Sequence, residues 1–518
     1  MIKRFYITTA IDYVNGQPHL GHAYEKVIAD VIARARRSLG QDVFFLTGLD
    51  EHGQKVQQAA QAEGKDPQTY CDQLAKDWKA FASTLALTND DFVRTTDARH
   101  KEIVQASLSK VNADGHVYKK IYEGFYSTKE ETFLTDKDRL PDGTFPASYG
   151  EVVVLKEENY FFKLTDHQQW LIEYIEANPS FIQPDHRRNE ILGFLKNNTL
   201  EDLCISRPVA RLNWGIPIPF DKTYVTYVWF DALVNYISIP AAHGDKVVTT
   251  ALGTQPSTPN AQLSIWPADI HVIGKDIVKF HAVYWPIMLK ALGLPLPKQL
   301  LVHGWWQKDG AKISKTTGNV IDPVAIINEW GLDAFRFYVL RELDIGPDGN
   351  WTDAGFKSRY SAELANGLGN LVNRSLSMLK RYRNGVVPAR SNELAGDAEK
   401  VIAETKSLLE QNELQKALQT IWSLVTRANQ YVDRTAPFKL AKDPAQAQRL
   451  DEVLYNLAEI CRILAVLVWP FLPGTATKIY AQVGLQGEPD KFSAAVWGGL
   501  SAGHQIGEPA ALFPRKDV

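Results

Sequence analysis

A chain of 518 residues, 45% hydrophobic and 23% charged, has the make-up of an ordinary globular protein with core enough for more than one domain, which excludes a disordered chain. A formal net charge of −3 excludes a broadly polycationic nucleic-acid binder but leaves room for a local basic stripe. Cys71, Cys204 and Cys461 are too far apart for a disulfide framework or a CxxC knuckle, no run approaches the ~18 apolar residues of a membrane span, and the N-terminal MIKRFYITTA enters a strand rather than a signal h-region, so a cytoplasmic protein with reduced, buried thiols is expected.

Residues 5–10, FYITTA, read as a buried strand. The turn Asn15-Gly16-Gln17-Pro18 then leads into a helical pattern at Leu20, Val27, Val31 and Ala35, which Gly40 stops. A second apolar run at 43–46 and further helical stretches reach to about residue 115, and this strand–helix alternation argues for a parallel, doubly wound sheet. Residues 117–223 break the pattern with short β-like pieces at 124–126 and 152–155, a Pro141-Asp142-Gly143 turn and two helical interludes, which predicts an insertion. The α/β pattern resumes at 224, with strands at 270–273 and 299–302 flanking a helix at 278–292. In such a sheet the ligand crevice lies beyond the strand C-termini, where strand order reverses. A polar loop at 308–319 and helical segments at 323–329 and 333–340 follow. Residues 362–483 are nearly all amphipathic helix (364–382, 398–412, 413–433, 450–467), an α-bundle. The stretch 484–518, rich in Gly, Ala and Pro, is expected to be an extended or partly ordered tail. The expected division is 1–116 and 224–305 for the halves of a split α/β domain, 117–223 for the insertion, 306–361 for the loop and its helices, 362–483 for the bundle and 484–518 for the tail.

Three patches carry chemistry. His19 and His22, in His19-Leu20-Gly21-His22, share one face of a helix start, where the helix N-terminus favours anions, and Gly21 between them leaves room for a flat ring. The loop GAKISKTTGN at 310–319 presents Lys312 and Lys315 with Ser314 beside them and glycines at both flanks, point charges on a loop able to close over phosphate. Alone, the first patch reads more readily as a structural histidine pair and the second as a solvated loop. The third patch is aromatic, YVWFDALVNY at 227–236, GKDIVKFH at 274–281 and Trp285-Pro286, and each stretch alone reads more readily as core than as pocket.

HLGH and KISKT, in that order across a split α/β domain, resemble the HIGH and KMSKS signatures of class I aminoacyl-tRNA synthetases. TTAIDYVNG, TGLDEHG and the aromatic stretches resemble the methionyl-tRNA synthetase family, and the resemblance runs from residue 5 to about 467. It implies a Rossmann-type parallel-sheet catalytic domain split by an insertion and followed by an all-α helical-bundle anticodon-binding domain. It also implies the reaction: methionine and ATP give methionyl-adenylate and pyrophosphate, and methionine then passes to the 3′-terminal ribose of initiator and elongator tRNA(Met). Mg²⁺ would travel with the ATP. His19, His22, Lys312 and Lys315 would be catalytic, with Gly21, Gly274, Asp276 and Ser314 joining them at ATP. Asp50 would hold the α-ammonium of methionine, and Ile11, Tyr13, Trp229, Leu233, Tyr236, Ile277 and His281 would wall its side chain. Physical chemistry agrees with an aromatic pocket: a thioether gains about 0.3–1.5 kcal/mol from an aromatic edge, while one methylene discriminates by only about 1–3 kcal/mol.

Many members of the family carry zinc knuckles in the insertion. Here Ser127 and Glu130 stand where a cysteine pair is expected, so no structural zinc is expected, and the insertion is short for the editing domain of the isoleucyl, valyl and leucyl relatives. Asn370 and Arg374 match the family's anticodon-contacting pair, and Phe438 stands where the family usually places tryptophan, with a smaller stacking face. Asp12 stands where the family often has an apolar or aromatic residue. The implied partners are methionine, ATP and tRNA(Met), without a membrane, and a monomer is expected because no appended C-terminal tRNA-binding module is evident. Two rivals stand beside this reading, another class I specificity and a catalytically silent tRNA-binding protein. Intact HLGH and KISKT speak against the second.

Overall fold

The computed structural model describes residues 4–14, 16–127, 132–134, 136–255, 264–312 and 321–516. The chain divides into two compact units, Met1–Gln17, Phe44–Ala80 and Asn89–Val302 forming the first, and Pro18–Val43, Phe81–Thr88 and His303–Val518 the second. In chain order the elements begin β1 (Phe5–Thr9), β2 (Asp12–Tyr13), α1 (Leu20–Ser38), β3 (Val43–Asp50), α2 (Gln54–Ala62), α3 (Pro67–Thr84), β4 (Asp91–Arg94) and α4 (Ala98–Ala113). Next come β5 (Val117–Ser127), β6 (Thr132–Leu134), β7 (Val152–Phe162), α5 (Gln168–Ala177), β8 (Ile182–Gln183), α6 (Asp185–Asn197), β9 (Leu203–Cys204), β10 (Ser206–Pro208), β11 (Pro217–Ile218) and β12 (Asp221–Thr226). Then follow α7 (Val228–Ala242), α8 (Lys246–Leu252), β13 (Ile270–Gly274), α9 (Trp285–Leu292), β14 (Leu300–His303), β15 (Trp306–Lys308) and β16 (Ala311–Lys312). The remainder is α10 (Pro323–Trp330), α11 (Leu332–Arg341), β17 (Gly349–Trp351), α12 (Asp353–Arg359), α13 (Asn370–Arg383), α14 (Ala395–Glu410), α15 (Leu414–Thr435), α16 (Pro437–Leu440), α17 (Ala447–Val468) and α18 (Pro473–Gln482).

The first unit is built on a seven-stranded sheet of order β2–β3–β1–β13–β14–β8, with β4 also on β3. The pairs β1–β13, β2–β3, β3–β4 and β14–β8 are parallel. β3, VFFLTGLD, is buried along its whole length, as a central strand covered on both faces requires, and it continues past the apolar run at 43–46 to Asp50. Gly48 is what lets β4 lie against it, because a Cβ there would come within 2.1 Å of the Val93 carbonyl oxygen. From β1 the chain builds outward through β3 and β4, and later returns to the other side of β1 as β13 and β14. Strand order therefore reverses between β1 and β13, and the C-terminal ends of β3, β1 and β13 lie side by side.

The stretch 117–223 contains the long antiparallel ladder β5–β7, running from Val117 opposite Phe162 to Ser127 opposite Val152, with β6 and β9 at its edges. It is not wholly set apart, since β8 adds to the edge of the main sheet through Leu300 opposite Ile182.

In the second unit, α1 is fastened by Asp30, which receives Arg34 Nε and Arg336 Nη2, each at 2.8 Å, with all three side chains buried. β16, β15 and β17 form a small sheet. α12 runs through a π-helical stretch, Tyr360–Gly369, into α13 and packs with α14, α15 and α17 as a bundle. The stretch 484–516 has little regular structure and is packed rather than loose. Glu459, buried on α17 with its partner Arg462, accepts the backbone N–H groups of Gly498, Gly499 and Leu500 at 2.7–3.1 Å. Trp497, Leu500, Ile506 and Phe513 are buried with it.

Candidate active site

In the first unit, the residues expected to hold an amino acid stand at the ends of the three central strands and on α7. Tyr13 is the register partner of Asp50 in the β2–β3 pair, and Val14 N–H donates to the Asp50 carbonyl at 3.0 Å. Asp50 itself is buried, as is Asp12 opposite Leu49. Trp229 stacks on Phe280 at 3.6 Å between ring centroids, nearly parallel, and meets His281 edge-on at 6.5 Å. His281 Nδ1 lies 3.0 Å from the Ile277 carbonyl, an acceptor, so Nδ1 carries the proton and Nε2 receives the Tyr236 hydroxyl proton at 2.7 Å. Tyr236 and Leu233 are buried on α7, while Ile11, Trp229 and Ile277 are half-buried against the same core. An aromatic wall with a single fixed tautomer is thus assembled from α7 and the segment after β13. Gly274 ends β13 and is buried, and Asp276, two residues on, is exposed.

Behind this wall the polar groups are tied off one by one. His271 on β13 meets Thr8 Oγ1 at 2.7 Å through Nδ1 and accepts from the Trp285 indole, and complete burial with His281 nearby pushes its pKa well below that of a free imidazole. Glu51, next to Asp50, is fully buried and bonded to Arg94 Nε at 2.7 Å and to the Thr96 hydroxyl. His52 Nδ1 donates to Asp231 at 2.6 Å, and His100 Nε2 donates to the other oxygen of the same carboxylate at 2.7 Å. Complete burial pushes the Asp231 carboxyl up, but His52 and His100 outweigh this and hold it below the usual carboxylate range. Sequence reasoning assigned no role to His52, His100 or Asp231. The available signal was a carboxylate inside the apolar run YVWFDALVNY, too costly to bury without partners.

In the second unit, His19 is the N-cap of α1. Its Nδ1 accepts from Gly21 N–H at 3.1 Å, and His22 Nδ1 accepts from His19 N–H at 3.1 Å, a reciprocal capping box made of two imidazoles. Their rings lie 3.8 Å apart. An imidazole that accepts at Nδ1 carries its proton on Nε2, so both rings keep an Nε2–H donor at a helix N-terminus. Gly21 makes this possible, because a Cβ would sit 3.0 Å from His19 Cε1. One turn further, Glu25 bonds His303 Nε2 at 3.1 Å, while His303 Nδ1 faces the Gly304 carbonyl at 2.8 Å. That contact ties α1 to the segment leading into β15 and β16. The backbone of Lys312 pairs with Gln307 in β16. Its side chain, and Ser314 and Lys315 altogether, lie outside the described residues.

On the bundle, Asn370 and Arg374 are half-buried on one face of α13, and Arg374 Nη2 bonds Asp433 on α15 at 3.2 Å. Phe438, on α16 just beyond, is 44% exposed, unusual for so large an apolar side chain. In the insertion, Ser127 is buried and donates to the Tyr149 carbonyl at 2.6 Å, and Glu130 lies outside the described residues; no group of three or more His, Cys, Asp or Glu side chains suited to a metal occurs among the described residues. Among the described residues no helix is long and apolar enough to cross a membrane.

A family model described as tRNA synthetases class I (M) matches residues 5–152 and 146–376, and one described as the anticodon binding domain of methionyl tRNA ligase matches residues 383–517. The methionine–tRNA ligase of Bacillus subtilis (strain 168) is 42% identical over 99% of this chain and 78% of its own length. That of Rickettsia felis is 41% identical over 99% of each chain. Among solved structures, Mycobacterium tuberculosis methionyl-tRNA synthetase in complex with methionyl-adenylate matches with a TM-score of 0.91 and 36% identity, over 99% of this chain and 100% of the other.

Proposed function

The chain belongs to the methionyl class I tRNA synthetases, and on that premise we propose how its residues divide the work of a methionine–tRNA ligase. The reaction joins methionine and ATP into methionyl-adenylate with release of pyrophosphate, and then charges tRNA. Asp50 pairs with the α-ammonium beside Tyr13, and the thioether lies among Ile11, Trp229, Leu233, Tyr236, Ile277 and His281. A methionine carboxylate oxygen attacks the α-phosphorus, and the bond to the β,γ-pyrophosphate breaks. His19 and His22 donate from Nε2 to the phosphate oxygens as charge shifts among them, and Lys312, Ser314 and Lys315 take the charge of the departing pyrophosphate. Gly21 and Gly274 let the nucleotide approach the backbone, and Asp276 lies at the same ligand. Mg²⁺ enters as part of the ATP substrate. The terminal ribose hydroxyl of tRNA(Met), initiator or elongator, then attacks the acyl carbonyl and AMP leaves.

Catalysis falls to residues 1–116 and 224–305 with the loop region 306–361, and anticodon reading to 362–483 through Asn370, Arg374 and Phe438. The observation that carries the reading is the reciprocal His19–His22 cap, which commits both Nδ1 atoms to backbone N–H groups and so fixes two Nε2–H donors where an anion binds. The test is amino-acid-dependent exchange of pyrophosphate into ATP across a panel of amino acids, followed by charging of tRNA(Met). Exchange with methionine alone supports the assignment. Exchange with a different amino acid overturns the specificity, and exchange with none favours a silent tRNA binder. Ser127 gives its hydroxyl to the Tyr149 carbonyl and offers no thiolate, which supports an insertion without structural zinc, and a stoichiometric zinc signal in metal analysis contradicts this. A monomer working in the cytoplasm completes the reading.

A further inference from the structure

The buried polar cluster around Asp231 has no part in the reaction steps above. Its two carboxylate oxygens each receive one imidazole, His52 from the segment after β3 and His100 from α4. His100 Nδ1 in turn meets Ser238 Oγ on α7 at 2.9 Å. Asp231 and His100 are fully buried and His52 nearly so. Burying a carboxylate and two imidazoles is a poor way to gain stability, because apolar side chains of the same volume pack without the desolvation penalty. What such a cluster supplies is direction: each bond has one length and one orientation, and the low dielectric sharpens both.

The elements joined are the informative part. His52 stands two residues after Asp50. Asp231 stands on α7 between Trp229 and Leu233, with Tyr236 further along. We propose that Asp231 is a positioning residue for methionine activation: through His52 it fixes the end of β3, with the carboxylate of Asp50, to the helix that carries the thioether wall. The distance between the group that takes the ammonium and the wall that takes the side chain is thereby set by a 2.6 Å hydrogen bond. His100, on α4, braces the same helix through both Asp231 and Ser238, so the carboxylate is held from both sides. This inference rests on the assignment of Asp50 to the ammonium. β3 also has ties that do not involve His52, namely Glu51 with Arg94 and the Val14–Asp50 backbone bond, so the strand end keeps its place in the sheet when His52 is changed.

The experiment measures KM for methionine and for ATP in pyrophosphate exchange, with melting temperatures, for full-length His52→Leu, His52→Asn, His52→Gln and Asp50→Ala. Asparagine places its amide N–H where imidazole Nδ1–H stands, whereas glutamine displaces it. The expected result is a methionine KM raised about tenfold in His52→Leu and His52→Gln, restored to within about twofold in His52→Asn, with ATP KM within about twofold in all three. A methionine KM that stays put while only the melting temperature falls overturns the proposal, as does an equal rise in both KM values or a failure of asparagine to restore. Asp50→Ala separates the two claims. If it raises methionine KM while His52→Leu and His52→Gln do not, positioning by Asp231 falls and the Asp50 assignment stands. If Asp50→Ala leaves methionine KM unchanged, the assignment falls and the proposal with it.

Discussion

Two pairs of histidines stand at opposite extremes in this molecule. His19 and His22 are half-buried at the start of α1, each with Nδ1 loaded by a backbone N–H, and their remaining ring donors are Nε2–H groups. His52 and His100 are buried, and both give a ring proton to one carboxylate. The first pair holds backbone N–H groups at a helix start, and the second gives its ring protons to a buried carboxylate. The residue type is the same, so it is the partner of the ring, and its burial, that sets which role each pair is proposed to fill.

The sharpest way to break this contrast is His19→Asn. Asparagine is a good N-cap and keeps the bond to Gly21 N–H, but it has no donor in the place of Nε2–H. Pyrophosphate exchange is expected to fall by about 10²–10³-fold in kcat, the loss typical of one donor to developing charge, with the melting temperature unchanged. Retained exchange makes His19 a cap and nothing more. Tyr236→Phe probes the buried side with a smaller effect. It removes the hydroxyl that donates to His281 Nε2 and so loosens the ring's orientation in the wall, so methionine KM should rise by about tenfold, while ATP KM holds. A rise in ATP KM instead shows that the wall is not specific to the amino acid.

His271 extends the comparison to pH. Its folded pKa lies well below the unfolded value of 6.5 because burial disfavours the charged ring. The unfolded chain therefore binds the extra proton first: the stability this ring contributes is complete above about pH 6.5 and is lost as pH falls below it. The melting temperature of the natural protein should drop more steeply below about pH 6.5 than that of His271→Asn, and parallel curves show that His271 does not titrate differently on folding.

The legibility of these regions in the sequence follows the same division. β1 and α1 were readable because apolar spacing at 5–10 and at Leu20, Val27, Val31 and Ala35 is local, and the helices at 364–382, 413–433 and 450–467 were readable for the same reason. β3 reaches four residues further than its apolar run because Gly48 and Thr47 are buried by neighbouring strands, which composition does not show. β5 and β7 extend to eleven residues each where short pieces were expected, since their continuous antiparallel pairing carries them through the charged stretches Lys119-Lys120 and Lys156-Glu157-Glu158, which the apolar pattern does not mark as strand. The tail is packed because two charges inside an apolar helix meet its backbone, Glu459 accepting from N–H groups about forty residues away in sequence and Arg462 donating to the carbonyls of Ala494 and Val496. At the site, HLGH and KISKT were legible as short motifs. The Asp231 cluster was not, because it joins residues 52, 100 and 231, which only the fold brings together.

The smallest effect is expected where the proposed recognition surface is exposed rather than buried. Arg374, bonded to Asp433 in solvent at 3.2 Å, and Phe438, 44% exposed, resemble neither histidine pair: they are positioned by α13, α15 and α16 but not enclosed. An unstacked base brings its own flat face, so such a surface needs area more than a fixed tautomer, and each stacked base is worth about 1–3 kcal/mol. Indole offers more area than phenyl. Phe438→Trp should therefore lower KM for tRNA(Met) in charging by about two- to threefold, a fraction of that stacking energy, and leave methionine-dependent exchange untouched. A change in exchange ties Phe438 to catalysis instead. An unchanged tRNA KM, with Phe438→Ala equally silent, shows that this exposed ring carries no base at all.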